Sequence, residues 1–254
     1  MTHISSEVIS TVRVGPNIFV QRYHSPEIAS SVLPGQFINI RVYDGYQPLL
    51  RRPFSIYRVD GDFIEIIFGV VGVGTSVLSQ KEPGVSVDVI GPLGRSFDVD
   101  SMYGTAILVG GGLGVAPLPF LTDFIKGKKH IVTFLGARSK EYLIKDHLLN
   151  VYPATDDGSE GFGGSVVEAL RSKLEEQIYP APKIFACGPN PMLAAVSKLA
   201  IEFDISCEIS VEGSMACGIG ICQGCPIENT APGKKYSLIC KEGPVFESNA
   251  VVLS

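Results

Sequence analysis

The chain has 254 residues, of which 45% are hydrophobic and only 19% are charged, and it contains 28 glycines and 17 prolines. This length exceeds the usual size of one domain, and the many turn-forming residues favour a strand-rich protein over a helical bundle. The net charge of -5, without a long run of lysine or arginine, gives no electrostatic signature of nucleic acid or of an acidic membrane surface. The expected partners are therefore small molecules or proteins.

The amino-terminal stretch MTHISSEVIS has no basic region leading into an apolar one, and no segment reaches membrane-spanning length without polar breaks. A cytoplasmic protein is therefore expected. Reducing conditions disfavour disulfides among the six cysteines, so metal binding and plain burial remain open for them.

The first hundred residues contain short alternating apolar runs separated by turn residues, as in GQFINIRV and GVSVDVIGPLG. This spacing predicts an antiparallel β-barrel. Within it, RRPFSIY places an arginine pair before Pro53 and the hydroxyl of Ser55. A planar guanidinium can bind a diphosphate, and a solvated strand face is the alternative interpretation.

A second stretch of the barrel, GVVGVGTSVLSQ, leads from a strand into Gly72, Gly74 and Thr75. The residues that follow have the pattern of a short helix. Its amino terminus could bind phosphate.

The pattern changes after residue 104, where an apolar strand at 105–109 meets a glycine turn at 110–114. A predicted helix follows, with Pro117 in its first turn and Gly127 near its end. HIVTFLGAR is a second strand, and KIFACGPNPMLAAVSKLAIEF repeats the order of strand, turn and helix. This alternation predicts a parallel sheet covered by helices.

The glycine turn is an incomplete dinucleotide motif, because Gly110 and Gly112 are followed by Val115 where a third glycine would stand. It could admit a pyrophosphate to the backbone, or it could be a tight connection. The later turn CGPNP would put Cys187 at the same sheet edge, facing one shared crevice. Cys187 itself could lie beside a nicotinamide ring or be a small buried residue.

The carboxy-terminal region contains Cys217, Cys222 and Cys225 in the spacing C-x4-C-x2-C, and Cys240 follows after fourteen residues. The first two gaps agree with plant-type [2Fe–2S] sites, and nearby glycines would let backbone N–H groups approach the sulfur atoms. Zinc is the main metal alternative, although only Cys222 and Cys225 form a C-x2-C pair. Plain burial also remains open. Cys207 has the pattern of a strand residue and is left out of the ligand set.

Eight segments together resemble the ferredoxin reductase superfamily, and most closely the electron transfer subunits of type B dihydroorotate dehydrogenases. They are LPGQFINI, RRPFSIY, GVVGVGT, GPLGRSFD, LVGGGLGVAPL, ACGPNPML, MACGIGICQGC and CKEGPVF. The resemblance extends over nearly the whole chain, and the last two segments are the specific ones. It implies an antiparallel β-barrel FAD domain at 1–100, an α/β parallel-sheet NAD domain at 101–211 and a small [2Fe–2S] module at 212–254.

The resemblance also implies site residues and no catalytic acid or base. FAD binding is implied for Arg52, Pro53, Phe54, Ser55, Val70, Val71, Gly74 and Thr75, with Arg52 at the pyrophosphate and Ser55 by the isoalloxazine. NAD binding is implied for Gly111, Gly112, Gly114, Cys187, Gly188 and Pro189. The [2Fe–2S] ligands would be Cys217, Cys222, Cys225 and Cys240. The preference for NAD over NADP also comes from the resemblance alone, because the residues themselves indicate both. Arg138 could favour a 2′-phosphate, whereas Asp156 or Asp157 could bind a ribose.

The function implied is transfer of electrons from an FMN-containing, dihydroorotate-oxidising partner through [2Fe–2S] and FAD to NAD+, in pyrimidine biosynthesis. The expected assembly is a heterotetramer with two copies of each subunit, with an interface around the cysteine region that has its glycine-rich loop or GPVF at the edge. The chain has too few βα units for an eight-unit barrel, and no segment resembles a dihydroorotate site. The alternatives are a reductase subunit of another complex, of the sulfide dehydrogenase or hydrogenase type, and a zinc-stabilised binding module without redox chemistry.

Overall fold

The computed structural model describes residues 1–253 and contains two seven-stranded sheets and a two-stranded hairpin. The first sheet is formed by β1 (Thr2–Gly15), β2 (Ile18–His24), β3 (Phe37–Arg41), β4 (Arg52–Ser55), β5 (Arg58–Asp60), β6 (Phe63–Gly69) and β7 (Ser86–Leu93). Its strands pair antiparallel in the order β4-β3-β7-β1-β2-β6-β5. Two short helices, α1 (Pro26–Ala29) and α2 (Val73–Ser79), connect them.

Alternation of side chains explains this first sheet. In β3 the side chains of Ile38 and Ile40 are fully buried in the core of the sheet, and their neighbours along the strand project to the opposite face. The edge strand β4 also contacts β6, so the sheet curls into a half-barrel. The antiparallel barrel predicted from the sequence is confirmed in this form.

The second sheet is formed by β8 (Thr105–Gly111), β9 (His130–Ala137), β10 (Val151–Thr155), β11 (Phe162–Gly163), β12 (Pro182–Cys187), β13 (Ser206–Ser210) and β16 (Val245–Glu247). Its order is β11-β10-β9-β8-β12-β13-β16, and all neighbours pair parallel except β16, which pairs antiparallel with β13. Three helices cover it, namely α3 (Leu118–Ile125), α4 (Val166–Glu176) and α5 (Asn190–Glu202). The predicted α/β parallel sheet is confirmed.

The strand β8 is buried on both faces, as expected for a central strand of a parallel sheet. Ile107 and Val109 pack on the side of α4 and α5, whereas Ala106 and Leu108 pack on the side of α3. Helix α3 also contacts the barrel, because its Phe120 lies in the barrel core. The helix therefore lies between the two sheets and determines how they face each other.

The carboxy-terminal region adds β14 (Pro226–Glu228), β15 (Tyr236–Leu238) and α6 (Ile239–Glu242) before β16. The strands β14 and β15 form the hairpin, and β16 extends the second sheet. No helix within residues 1–253 is both long and apolar enough to cross a lipid bilayer.

A buried ion pair connects the segment after β7 to the second sheet. Lys183 on β12 and Glu208 on β13 are each 4% exposed, and Lys183 Nζ lies 3.4 Å from Glu208 Oε2. Lys183 Nζ also donates to Asp98 O and Ser101 Oγ, each at 2.9 Å, and Asp98 N donates to Glu208 Oε2 at 2.9 Å. The segment that joins the two sheets is therefore attached to β12 and β13 through the buried side chains of Lys183 and Glu208.

Replacing Lys183 by methionine is expected to lower the free energy of unfolding by about 3–5 kcal/mol at pH 7, because Glu208 then lacks its buried cation. Burial raises the pKa of Glu208, so ionisation of this carboxyl costs stability as the pH rises through its folded-state pKa. The deficit of the variant relative to the wild type should therefore shrink toward about pH 4.5, near the ordinary pKa of glutamate. Urea unfolding at both pH values measures this difference.

Lys126 provides the matched control, since its side chain is 59% exposed and pairs with Asp123 at 2.6 Å. Lys126→Met should cost less than about 1 kcal/mol at either pH. Equal losses in the two variants would contradict the stabilising role of the buried pair.

Candidate functional site

The candidate site lies where the carboxyl ends of the second sheet face the barrel. A cavity of about 560 Å³, here called the strand-end cavity, is lined by the turns that follow β8, β9, β10 and β12. A second cavity of about 360 Å³, the interdomain cavity, lies between the barrel and the second sheet. A third, of about 420 Å³, adjoins both next to the β1–β2 turn. Leu113 lines all three, so the cavities adjoin one another.

The barrel side of the interdomain cavity contains most of the residues expected to bind FAD. Those that line it are Arg52, Pro53, Phe54, Ser55, Val71 and Thr75. Val70 lines the third cavity instead. Gly74 lies under Arg52, since a Cβ at this glycine would be 2.8 Å from Arg52 Nε. The absence of a side chain at Gly74 therefore lets the guanidinium lie against α2.

The two adjacent arginines have different environments. Arg51 Nη2 lies 2.8 Å from Asp88 Oδ2, and its Nη1 donates to Asp88 O at 3.0 Å. Arg52 donates to Leu50 O at 2.6 Å and has no carboxylate partner among residues 1–253. Only Arg52 lines the interdomain cavity. Arg51 thus stabilises the barrel, and Arg52 leaves a positive charge available to an anionic ligand.

The side chain of Thr75 organises the start of α2. Its Oγ1 accepts hydrogen bonds from Val71 N at 2.9 Å and Gly72 N at 3.3 Å. The same hydroxyl donates to Gly72 O at 3.2 Å. These contacts fix the loop at the edge of the interdomain cavity.

Five of the six residues expected to bind NAD line the strand-end cavity, namely Gly111, Gly112, Gly114, Gly188 and Pro189. Cys187 is 2% exposed and lies beneath this surface, where burial raises the pKa of its thiol. The turns after β8 and β12 are in contact, because a Cβ at Gly114 would lie 2.2 Å from Cys187 O. Gly112 differs, with φ +57° and open space around a built Cβ. Gly114 therefore serves backbone packing, while Gly112 leaves its backbone open to a ligand.

The far end of the strand-end cavity has charges of both signs. Arg138 and Asp156 both line it. Asp157 instead accepts a hydrogen bond from Ser159 N at 2.9 Å, and its contacts with Ser159 hold the pKa of this carboxyl below its usual value. Of the two aspartates named in the sequence, Asp156 is the one that faces the cavity.

Glu212 is a site residue that the sequence analysis missed. It lines both the strand-end and the interdomain cavities. Although the residue is exposed to solvent, desolvation raises the pKa of its carboxyl, as expected for a group in a crevice between two protein surfaces. Its position two residues after the end of β13, at the carboxyl end of a parallel strand, is the signal that could have identified it.

The four cysteines expected to bind a cluster lie in two pairs. Cys225 Sγ is 3.2 Å from Cys240 Sγ. In the other pair, Cys222 N donates to Cys217 Sγ at 3.4 Å. Desolvation opposes ionisation of Cys217, but N–H donors outweigh it and lower the pKa of this thiol to about 6. Cys207 lies apart, buried in β13.

Two thiol pairs fit a two-iron cluster. Cys217 with Cys222, and Cys225 with Cys240, would supply the four thiolates that hold such a cluster. Backbone donors are also directed at the thiols, since Ile219 N lies 3.5 Å from Cys217 Sγ and Gly224 N lies 3.4 Å from Cys222 Sγ. Within residues 1–253, no three His, Cys, Asp or Glu side chains are grouped as a single metal ion would require.

The cysteine segment adjoins the interdomain cavity. Met215, two residues before Cys217, lines this cavity together with Pro244 near the other end of the segment. Residues 243–246 are buried within the chain, whereas Ile221 and Cys222 are exposed. Of the two segments expected at the edge of a partner interface, GPVF is therefore largely covered by the chain itself, in part through the pairing of β16 with β13. In the glycine-rich loop at 218–224, residues 221–224 are the exposed part.

Comparison with known proteins supports this description. Residues 212–252 match the family model of the iron-sulfur cluster binding domain of dihydroorotate dehydrogenase B. The electron transfer subunit of dihydroorotate dehydrogenase B (NAD(+)) of Desulforamulus reducens is 37% identical, over 97% of each chain. The corresponding subunit of a Geobacillus species is 36% identical, over 98% of this chain and all of the relative.

Solved structures share the fold. An NADH-dependent reduced ferredoxin-NADP oxidoreductase superposes with a TM-score of 0.86 at 29% identity, covering 98% of this chain and 90% of the other. A ferredoxin NADP+ reductase from Neisseria gonorrhoeae, with bound FAD and NADP, gives a TM-score of 0.67 at 16% identity, covering 79% and 91%. The second likeness concerns the fold alone.

Substitution of the two glycines should separate their roles. Gly114→Ala is expected to lower the free energy of unfolding by about 3 kcal/mol, because its methyl group meets the backbone of Cys187. Gly112→Ala should cost about 1 kcal/mol for its positive φ but should weaken NADH binding, since the methyl group enters space beside the cavity. Chemical unfolding and NADH titration of both variants measure this. Equal stability of the two proteins would contradict the assigned packing role of Gly114.

The arginine pair offers a matched comparison for FAD. Arg52→Met should weaken FAD binding roughly 10- to 100-fold, the effect of losing one hydrogen-bonded charge contact. Arg51→Met should lower stability through its contacts with Asp88 while leaving FAD affinity nearly unchanged. Titration of the apoprotein with FAD, followed by flavin fluorescence, tests both variants. Equal FAD affinities would show that the cavity position of Arg52 does not determine binding.

Proposed function

Because this chain belongs to the family of electron transfer subunits of NAD-dependent dihydroorotate dehydrogenase B, we propose a complete route for its electrons. They come from an FMN-containing partner that oxidises dihydroorotate, pass through a [2Fe–2S] cluster and FAD in this chain, and leave on NAD+. The pathway served is pyrimidine biosynthesis. The proposed assembly contains two copies of each subunit.

The observation that carries the proposal is the adjacency of the three sites. The strand-end and interdomain cavities share Leu113 and Glu212, and Met215 connects the interdomain cavity to the cysteine segment. A cluster passes single electrons, NAD+ takes up a hydride and a flavin can do both, so the flavin site has to lie between the other two. The interdomain cavity has this intermediate position.

The residues of the chain would bind and orient the cofactors. Arg52 supplies a positive charge and Ser55 a hydroxyl to the interdomain cavity, and both fit the phosphate and ring edge of FAD. The backbone of Gly112 and the turn at Gly188 form the edge of the strand-end cavity, which suits the pyrophosphate of NAD. Glu212 stands where ligands in the two cavities would meet.

The proposed interface with the partner subunit surrounds the glycine-rich loop at 218–224. Cys222 is exposed, and the neighbouring Ile221 is 76% exposed. An exposed apolar residue beside a thiol ligand suits a surface that a partner covers. Electrons from the partner would enter the chain at this loop.

A second candidate is a flavin and iron–sulfur reductase subunit that serves another complex. The likeness to the NADH-dependent reduced ferredoxin-NADP oxidoreductase, with a TM-score of 0.86, favours it. The two candidates use the same cofactor sites and differ in the electron donor. Their experimental separation therefore depends on the partner and its substrate.

The test is anaerobic purification of the chain with its native partner, followed by an assay of NAD+ reduction by dihydroorotate. Cys222→Ser is expected to abolish this activity while FAD content stays unchanged. Cys222 is one of the four proposed cluster ligands, and it does not line the interdomain cavity proposed for FAD. The protein should be brown-yellow, with visible absorption that dithionite bleaches.

Cys207→Ser is the matched control, since Cys207 lies in β13 outside the ligand set and its thiol already contacts Ser248. This variant should retain both cluster and activity. Full activity in Cys222→Ser would refute the proposed route, and purified protein with zinc but no flavin would refute the redox function. A complex that is inactive with dihydroorotate but reduces NAD+ with another donor would favour the second candidate.

A further inference from the structure

The side chain of Asn39 makes a hydrogen bond from the barrel to the cysteine segment. Asn39, in the middle of β3, donates a hydrogen bond from its Nδ2 to Cys217 O at 3.0 Å. The residue is 1% exposed, and its Oδ1 has no hydrogen-bond partner within residues 1–253. A buried amide with only one of its groups bonded is costly. The contact with Cys217 therefore replaces part of the solvation that the amide has lost.

The alternation of β3 shows that the cysteine segment is what buries Asn39. Ile38 and Ile40 point into the barrel core and are fully buried there. Asn39 therefore projects to the other face of the strand, together with Phe37. On this outer face, Gly218 of the cysteine segment lies against the amide of Asn39.

The outer face of β3 extends from the interdomain cavity to the cysteine segment. Phe37 lines the interdomain cavity, and Asn39, two residues further along the strand, contacts the backbone of Cys217, one of the four proposed cluster ligands. Two residues of an extended strand span roughly 6.6 Å. The strand thus sets a short, fixed separation between the interdomain cavity and the cysteine segment.

The backbone of the loop is shaped to fit this amide. Gly218 has φ +71°, and a Cβ there would lie 2.5 Å from Asn39 Nδ2. Only a residue without a side chain can turn over the amide at this distance. On the other side, β3 is held between β4 and β7 in the sheet, so the amide is carried on a rigid element.

We propose that Asn39 is a positioning residue for the iron–sulfur site, through its hydrogen bond to the carbonyl of Cys217. This inference rests on the function proposed above. The amide orients Cys217 and keeps the glycine-rich loop against β3, the strand that borders the interdomain cavity. Loss of the amide donor loosens the loop and exposes the cluster. The residues that line the interdomain cavity keep their hydrogen bonds, such as those of Thr75.

The test uses the full chain coexpressed with its partner and compares Asn39→Leu with the wild type. The leucine has a similar volume but no donor, so the variant should release iron to a chelator roughly five- to tenfold faster, the effect of one hydrogen bond. The electron paramagnetic resonance spectrum of the reduced cluster should change, and its midpoint potential should shift. FAD content should stay at the wild-type level.

Gln21→Met is the matched control, because Gln21 is also a fully buried barrel amide and its Nε2 donates to Leu78 O at 3.1 Å. This variant should lose stability without changing the spectrum or the chelation rate. Unchanged iron release and spectrum in Asn39→Leu would overturn the inference. Parallel loss of FAD and iron in both variants would also overturn it, since it would reveal a general effect on the barrel.

The wild-type protein separates failure of this inference from failure of the proposed function. Wild-type protein without iron and flavin would refute the proposed function and the inference together. Wild-type protein with both cofactors, and an Asn39→Leu variant that behaves identically, would refute only the role of Asn39.

Discussion

The hydrogen bond from Val211 N to Pro244 O, 2.9 Å long, holds the two ends of the cysteine segment together beside the interdomain cavity. It closes the cysteine segment at its two ends, where β13 finishes and β16 begins. Arg95 N donates to Gly243 O at 2.6 Å and attaches the same point to the end of the barrel. Because both ends are fixed beside the interdomain cavity, the thiols between them remain close to it.

The two sheets are held in a defined relation by buried contacts. Helix α3 packs on the second sheet and also contributes Phe120 to the barrel core, while Lys183 and Glu208 attach the connecting segment. A rigid relation matters here because transfer between bound cofactors depends on distance and orientation. Leu113 and Glu212, which the strand-end and interdomain cavities share, lie where the two sheets face each other.

Much of the fold could be predicted from the sequence, because the signals are local. Alternating apolar runs separated by turns predict the antiparallel barrel, and strand, turn and helix in succession predict the parallel sheet. The cysteine spacing singles out Cys217, Cys222, Cys225 and Cys240, and the resemblance placed Arg52 at FAD. The local residue pattern alone could not separate the roles of Arg51 and Arg52, because Asp88, which pairs with Arg51, lies on a strand that is distant in the sequence.

The sequence by itself determined the kinds of elements, their order and the residue types suited to each cofactor, since these depend on periodicity and spacing along the chain. Only the tertiary structure decided which residues meet. Glu212 joins two cavities because β13 ends at the crevice, the cysteines form two pairs because the hairpin returns Cys240 to Cys225, and Asn39 reaches Cys217 across 178 positions. Such contacts arise when distant segments pack to bury their apolar surfaces, and no local pattern records them.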